Sequence, residues 1–364
     1  MRAQQFLIGA AMASATVIAV VACGGSNDLG GGAASGYSVT NLVSDVAAKA
    51  YGGGAPASKT DTDLVNPWGL AFNPAAFAWV ADNHTNKSTL YDGQGNKQTL
   101  VVSLPADTDP TGIVFNPANA AGDFDGSPFL FDGEGGTIVA WPGGTLTTAT
   151  TKFTAADGAV YKGLAFASNG TANFIYAADF HNAKIDVFDK TFAKQTTLAF
   201  PFADAAPPLA GYAPFNIQAV SIGNATHIVV AYAEQQAGSD DEDPASLGYV
   251  NLFTADGVFE RRVTSSLLKA PWGIALAPSN FGAFSGDLLI GNFGDGRINA
   301  FDPATGNHVG TVQDGNGADL VLDGLWAIAF GNDHNDQPSN ALFFTAGPAD
   351  ETHGVYGEIT CNGC

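Results

Sequence analysis

Apolar residues come along this chain in short runs, broken by glycine, proline and acidic or amide residues. That pattern describes short buried strands joined by tight turns rather than amphipathic helices. One phrase recurs six times at the head of such a run, with a glycine or its replacement in third place: Pro67-Trp68-Gly69-Leu70-Ala71-Phe72, Pro110-Thr111-Gly112-Ile113-Val114-Phe115, Tyr161-Lys162-Gly163-Leu164-Ala165-Phe166, Pro214-Phe215-Asn216-Ile217-Gln218-Ala219, Pro271-Trp272-Gly273-Ile274-Ala275-Leu276 and Leu325-Trp326-Ala327-Ile328-Ala329-Phe330. The third positions, 69, 112, 163, 216, 273 and 327, lie 43, 51, 53, 57 and 54 residues apart. A period of about fifty residues carrying several short strands predicts a β-propeller.

Each repeat decomposes alike. The phrase forms a first strand. A second apolar run ends at an acidic or amide residue, as in Trp79 to Asp82, Phe129 to Asp132, Ile175 to Asp179 and Leu288 to Asn292. A third run alternates, as Ile185-Asp186-Val187-Phe188 does, and a fourth, such as Phe259 to Val263, is more polar. The gradient fits inner strands packed on both faces and outer strands meeting solvent along one edge. The sixth repeat runs out after Val355 to Ile359, so Ser38 to Val43 is expected to supply its outer strand and close the ring. The expected fold class is all-β: a six-bladed β-propeller with four-stranded blades, closed by an N-terminal strand.

Composition agrees. Of the 364 residues 46% are hydrophobic and only 13% charged, with 45 glycines, which suits one large strand-rich core. Fourteen basic against 35 acidic residues leave a formal charge of −21. Such a surface repels phosphate backbones, so nucleic acid is not an expected partner. Neutral ligands, cationic ligands and divalent cations remain open.

The N-terminus adds a different signal. Met1-Arg2 opens it, Phe6 to Val21 is nearly all apolar or small, and Val20-Val21-Ala22-Cys23 closes it. The segment is short for a membrane span and reads as a signal peptide over residues 1–22. Its last four residues resemble a bacterial lipobox, which implies acylation of Cys23, cleavage after Ala22 and membrane anchoring through lipid. Residues 23–36 then read as a flexible Gly/Ser-rich tether, leaving 37–364 for the propeller. The expected location is the cell envelope, on the outer-membrane or periplasmic face or at the cell surface. With Cys23 lipidated, Cys361 and Cys364 remain as a pair, and a terminal disulfide is expected there. A redox role for the pair lacks the βαβ context of thioredoxin-like motifs.

Two resemblances follow from the motifs. Pro-x-Gly-Ile-Ala, Ala-Asp and Asn-x-Lys/Arg-Ile, clearest from Ala178 to Ile185, resemble NHL repeats. Asn41 to Asp45, Leu64 to Gly69, and Phe344 to Pro348 with Thr352 to Gly357 are similar to a family of uncharacterised exported bacterial propeller proteins. Some of its members carry C-terminal sorting signals of the PEP-CTERM type; this chain ends at Cys364 without a hydrophobic C-terminal anchor. The resemblance spans roughly residues 37 to 360 and implies fold and export, but no reaction.

In a propeller, loops entering the first strands and loops joining second to third strands open on one face around the channel. That face is expected to collect the ligand-binding candidates Trp68, Asp82, His84, Asp179, His181, Trp272, Asn292, Asp323, Trp326 and His353. A wider ring adds Asn66, Asn83, Asp109, Asp132, Asn216 and Glu351. Aromatic platforms with polar neighbours suit carbohydrates, peptides or other small organic molecules. Oxygen ligands suit Ca2+ or Mg2+. By analogy with calcium-dependent lactonases, such an ion would polarise an ester carbonyl while a carboxylate activates water. The competing reading is structural, because Asp and Asn at strand ends cap turns by bonding backbone amides.

Two acidic stretches carry less. Asp123 to Glu134 begins like an EF-hand loop, but Pro128 stands where glycine is needed. Asp240-Asp241-Glu242-Asp243 reads as a solvated loop. No nucleophile elbow, zinc-protease helix or phosphate loop is spelled anywhere. Three functions stay open: a ligand-binding or protein-interaction module, a metal-dependent hydrolase using the same face, and a structural scaffold.

Overall fold

The computed structural model describes residues 36–47, 49–51, 54–237 and 239–363. The expected signal peptide, the tether up to residue 35 with Cys23, and Cys364 lie outside the described residues. Cys361 is disulfide-bonded.

All six phrases head innermost strands: Pro67–Phe72, Pro110–Phe115, Tyr161–Ser168, Tyr212–Ile222, Pro271–Leu276 and Leu325–Phe330. They define blades 1 to 6 in that order, each a mainly antiparallel sheet whose later strands run outward in sequence. Each innermost strand packs beside the next, and Leu325–Phe330 packs beside Pro67–Phe72, so the ring closes. The expected six-bladed propeller is the observed one.

The seam lies inside blade 6, as expected. Gly36–Ser44 pairs antiparallel with Val355–Asn362, with Val39 opposite Ile359. Lys59–Thr60 adds a short parallel pair outside it. A hydrogen-bonded ladder therefore joins the two ends of the propeller.

Blade 3 departs from the four-strand expectation. It has three strands, and an isolated bridge between Phe188 and Lys194 stands where the fourth would begin. Lys194 is drawn to Asp186 at 2.6 Å, and Lys184 lies among Asp157, Asp179 and Asp186. Charges gathered at a strand edge discourage further pairing. The chain leaves the sheet, and Phe202 packs instead on Tyr176 and Phe253.

The core lies between blades. Trp79, Phe129 and Trp141 fill the gap from blade 1 to blade 2, and Val229, Val250, Leu288 and Ile290 that from blade 4 to blade 5. The axis is crowded too, and four of the six phrases have glycine there. A Cβ on Gly163 would fall 2.1 Å from Asn216 Oδ1, and one on Gly112 2.3 Å from Leu164 N. Every innermost strand is also bulged near its start, as between Pro67 and Leu70 or Leu325 and Ile328. A bulge bends a strand and re-aims its side chains. The end of the channel where the phrases begin is the upper mouth.

Candidate functional site

The second residues of the phrases are Trp68, Thr111, Lys162, Phe215, Trp272 and Trp326. Four are aromatic and pack on one another. Trp68 stacks on Trp326 with ring centroids 3.5 Å apart, and Trp272 and Phe215 meet both edge-on. Trp272 Nε1 donates to Lys162 O at 2.9 Å and Trp326 Nε1 to Asn66 Oδ1 at 3.0 Å, tying blade to blade.

Lys162 lies on this bed. Its side chain is 2% exposed, and its Nζ sits 5.3 Å from the ring centroids of Trp68 and Phe180 and 5.8 Å from that of Phe215. Glu242 Oε2 approaches it to 3.2 Å and Glu134 Oε1 to 3.3 Å. Burial alone would favour the neutral amine. The two carboxylates outweigh burial and hold the ammonium above its ordinary pKa.

Glu351 completes the cluster. Burial first, then the charge of Glu242 and of Glu134, pushes its carboxyl up to about 7, against the hydrogen bond that Asn66 Nδ2 donates to its Oε2 at 2.7 Å. Asn83 Nδ2 donates to Glu134 Oε2 at 3.1 Å. The exposed His84 places Nε2 3.3 Å from Asn66 Nδ2. Polar groups thus arrive from blades 1, 2, 3, 4 and 6, and blade 5 supplies Trp272.

Backbone strain delivers two of them. Asn66 has φ of 47° directly before Pro67, and Ala349, Asp350 and Glu351 have φ of 58°, 52° and 60°. Asparagine and aspartate tolerate the left-handed region, whereas Ala349 and Glu351 each cost on the order of 1–3 kcal/mol. The surrounding loop holds that turn: Glu351 N donates to Gly347 O at 3.1 Å, and Ala349 N to Asp323 Oδ2 at 2.9 Å.

Two uncharacterized proteins of Acanthamoeba polyphaga mimivirus are each 34% identical to this chain over 321 residues, covering 83% of it and 76% and 82% of themselves. The chain belongs to their family. No protein-family profile matches it. Among solved structures, a protein of unknown function from Bacteroides thetaiotaomicron superposes with a TM-score of 0.56 at 13% identity, covering 90% of this chain and 76% of its own. A streptogramin B lyase superposes with a TM-score of 0.51 at 12% identity, covering 90% of this chain and 98% of its own. At such identities these likenesses establish the propeller fold alone.

In this chain the sequence-derived candidates divide. Trp68, Trp272, Trp326 and His84 meet at the upper mouth. The three tryptophans are buried, however, forming a packed bed under Lys162 rather than an open platform. The other candidates do not join this cluster. Asp82 is fully buried, and burial holds its carboxyl well above the usual range. Asp179 accepts from Asn182 N at 3.1 Å and faces Lys184 Nζ at 3.1 Å. Asn292 donates to Leu267 O at 2.7 Å. His181 pairs with Asp240 at 2.5 Å, and His353 with Asp45 at 2.8 Å. Asp323 serves the mouth indirectly, through the strained turn.

Lys162, Glu134 and Glu242 were missed as site residues. The signal for Lys162 was present: it is the one charged side chain at a phrase's second position. Glu242 corrects the solvated-loop reading of residues 240–243, since it is buried against Lys162.

A resident Ca2+ or Mg2+ needs carboxylate oxygens converging at about 2.0–2.6 Å on a common point. At the mouth, Lys162 Nζ takes that point. In blade 3, Asp157, Asp179 and Asp186 bring ligand atoms within 4.8 Å of one another, but Lys184 and Lys194 lie among them at 2.6 to 3.5 Å. Both acidic groups fit an ammonium rather than a divalent ion.

Proposed function

We propose that this protein is a binding module that captures a cationic organic ligand at the upper mouth of its channel. The observation that carries the reading is the imbalance around Lys162. Two carboxylates, Glu134 and Glu242, pair with one ammonium, and a third, Glu351, held by Asn66, lies within reach of their charge. Glu134 and Glu351 stay partly exposed. Their mutual repulsion helps lift Glu351 toward neutrality, and a bound cation relieves that repulsion as a proton does. The net charge of −21 steers cations toward the surface.

Titration calorimetry with spermidine tests the proposal. In two buffers of different ionisation enthalpy at pH 7, one saturable site and release of part of a proton are expected, because the bound cation ionises Glu351. Glu351→Gln should abolish the proton release. Heats equal to dilution, for spermidine and for an oligolysine peptide alike, would overturn the reading.

A metal-dependent hydrolase at the same mouth is the second reading. Its support is Glu351 near 7, a value suited to general acid–base work; the ammonium at the focus of the carboxylates counts against it. A chelator-sensitive melting temperature would favour it. The proposal also keeps the protein at the cell envelope through lipid on Cys23, supported by the Val20-Val21-Ala22-Cys23 spelling. Labelling with radioactive palmitate should mark the native chain and not Cys23→Ser.

A further inference from the structure

The lower end of the channel is built by the last residues of the same six phrases. Phe72, Phe115, Phe166, Ala219, Leu276 and Phe330 are all half-buried, and all line it. Two lobes of about 310 and 320 Å³ open there and share Gln218, Ala219 and Ala329. Gln218 and Ser221 are the polar side chains among the lining residues. Above the lobes the channel narrows to a waist beside Asn216 and Trp272 with about 20 Å³ free, room for about one water. The result is a funnel open below and stopped above.

Each lobe has the volume of a small-molecule site, and its wall sets apolar side chains beside polar groups in nearly equal share, the Gln218 amide among them. Half-buried phenyl rings facing water in a concavity gain by transfer to an apolar ligand. The broad surface of a folded partner stops at the rim, whereas a small molecule passes it. We propose that the lower funnel binds an apolar small molecule of alkyl or aryl character, bearing one hydrogen-bonding group that meets Gln218. This site is separate from cation capture at the upper mouth.

The probe is 1-N-phenylnaphthylamine, whose fluorescence rises in apolar surroundings. The native protein should bind it saturably, benzyl alcohol should displace it, and spermidine should not. Ala219→Trp and Ala329→Trp each place an indole in the space the lobes share, and each should weaken binding about tenfold or more. Thermal unfolding shows which variant keeps its fold. A folded tryptophan variant that binds the probe as the native protein does overturns the proposal. Where neither variant folds, the native protein decides: displaceable, saturable fluorescence supports the site, and a linear, unsaturable response overturns it.

Discussion

At the upper mouth the phrase's second residues, Trp68 and Lys162 among them, are sealed beneath loop carboxylates. At the lower mouth its sixth residues, Phe72 and Phe330 among them, stand half open to the channel. One six-residue unit makes both ends. Because every innermost strand runs the same way, position in the phrase fixes height on the axis, and the bulge after the first residue separates the two environments. The loops then decide the chemistry: those above bring Glu134, Glu242 and Glu351 to the axis. Below, the apolar rings themselves form the wall. The contrast teaches that repetition supplies the frame, while departures from the repeat supply the site.

The largest way to break this contrast is Lys162→Met. It leaves the buried Glu242 facing the partly exposed Glu134 with no ammonium between them. Removing one partner of a buried ion pair costs about 3–5 kcal/mol, which urea unfolding should show as a lower midpoint. At the lower mouth Gln218→Met touches no such pair and should cost about 0.5 kcal/mol or less. Equal midpoints for the two variants would deny the ion cluster its organising part.

Next in size is a pH effect confined to the upper half. Glu351 is raised from 4.5 to about 7. Between those values the folded protein keeps a proton that the unfolded chain has released, so stability falls as pH rises through that window and levels off above it. At about 1.4 kcal/mol per pH unit the fall is at most about 3.5 kcal/mol. Asp132, pushed up to about 7 by burial, slopes the same way. Glu351→Gln should therefore reduce the loss of stability between pH 5 and 7.5, whereas Ala219→Trp should keep the native slope. Denaturant midpoints at the two pH values measure both. Ligands should divide in the same manner: spermidine affinity rises about tenfold from pH 6 to 8, equivalent to about 1.4 kcal/mol, and naphthylamine affinity stays level.

Legibility in the sequence followed the same division. The inner strands could be read because crowding at Gly112 and Gly163 leaves no room for a Cβ, a constraint that shows at four of the six repeats. The closing strand could be read because the sixth repeat lacked a partner for Val355–Asn362. The ion cluster could not. Lys162 meets Glu242 across 80 residues of chain, and nothing local to residues 240–243 distinguishes a carboxylate turned to the axis from three turned to solvent. Likewise Asp179 and Asn292 matched the expected ring in position, but Asp179 faces its own turn and Lys184, and the Asn292 amide donates to Leu267 O and Asp295 Oδ1. Blade 3 lost its fourth strand to a charge network formed by residues from 157 to 194, again a tertiary fact.

The smallest expected effect concerns the single amide that both lower lobes share. If Gln218 orients a ligand's polar group, native protein should favour benzyl alcohol over toluene, as displacers of the naphthylamine, more than Gln218→Leu does. A hydrogen bond of this kind contributes about 0.5–1.5 kcal/mol, so the ratio of the two affinities should change about fivefold between the proteins. Because Gln218 is exposed in the channel, the substitution should leave the melting temperature nearly unchanged. An unchanged ratio with intact probe binding would leave a funnel that selects by shape and apolarity alone, and would place all polar discrimination in this protein at the opposite mouth.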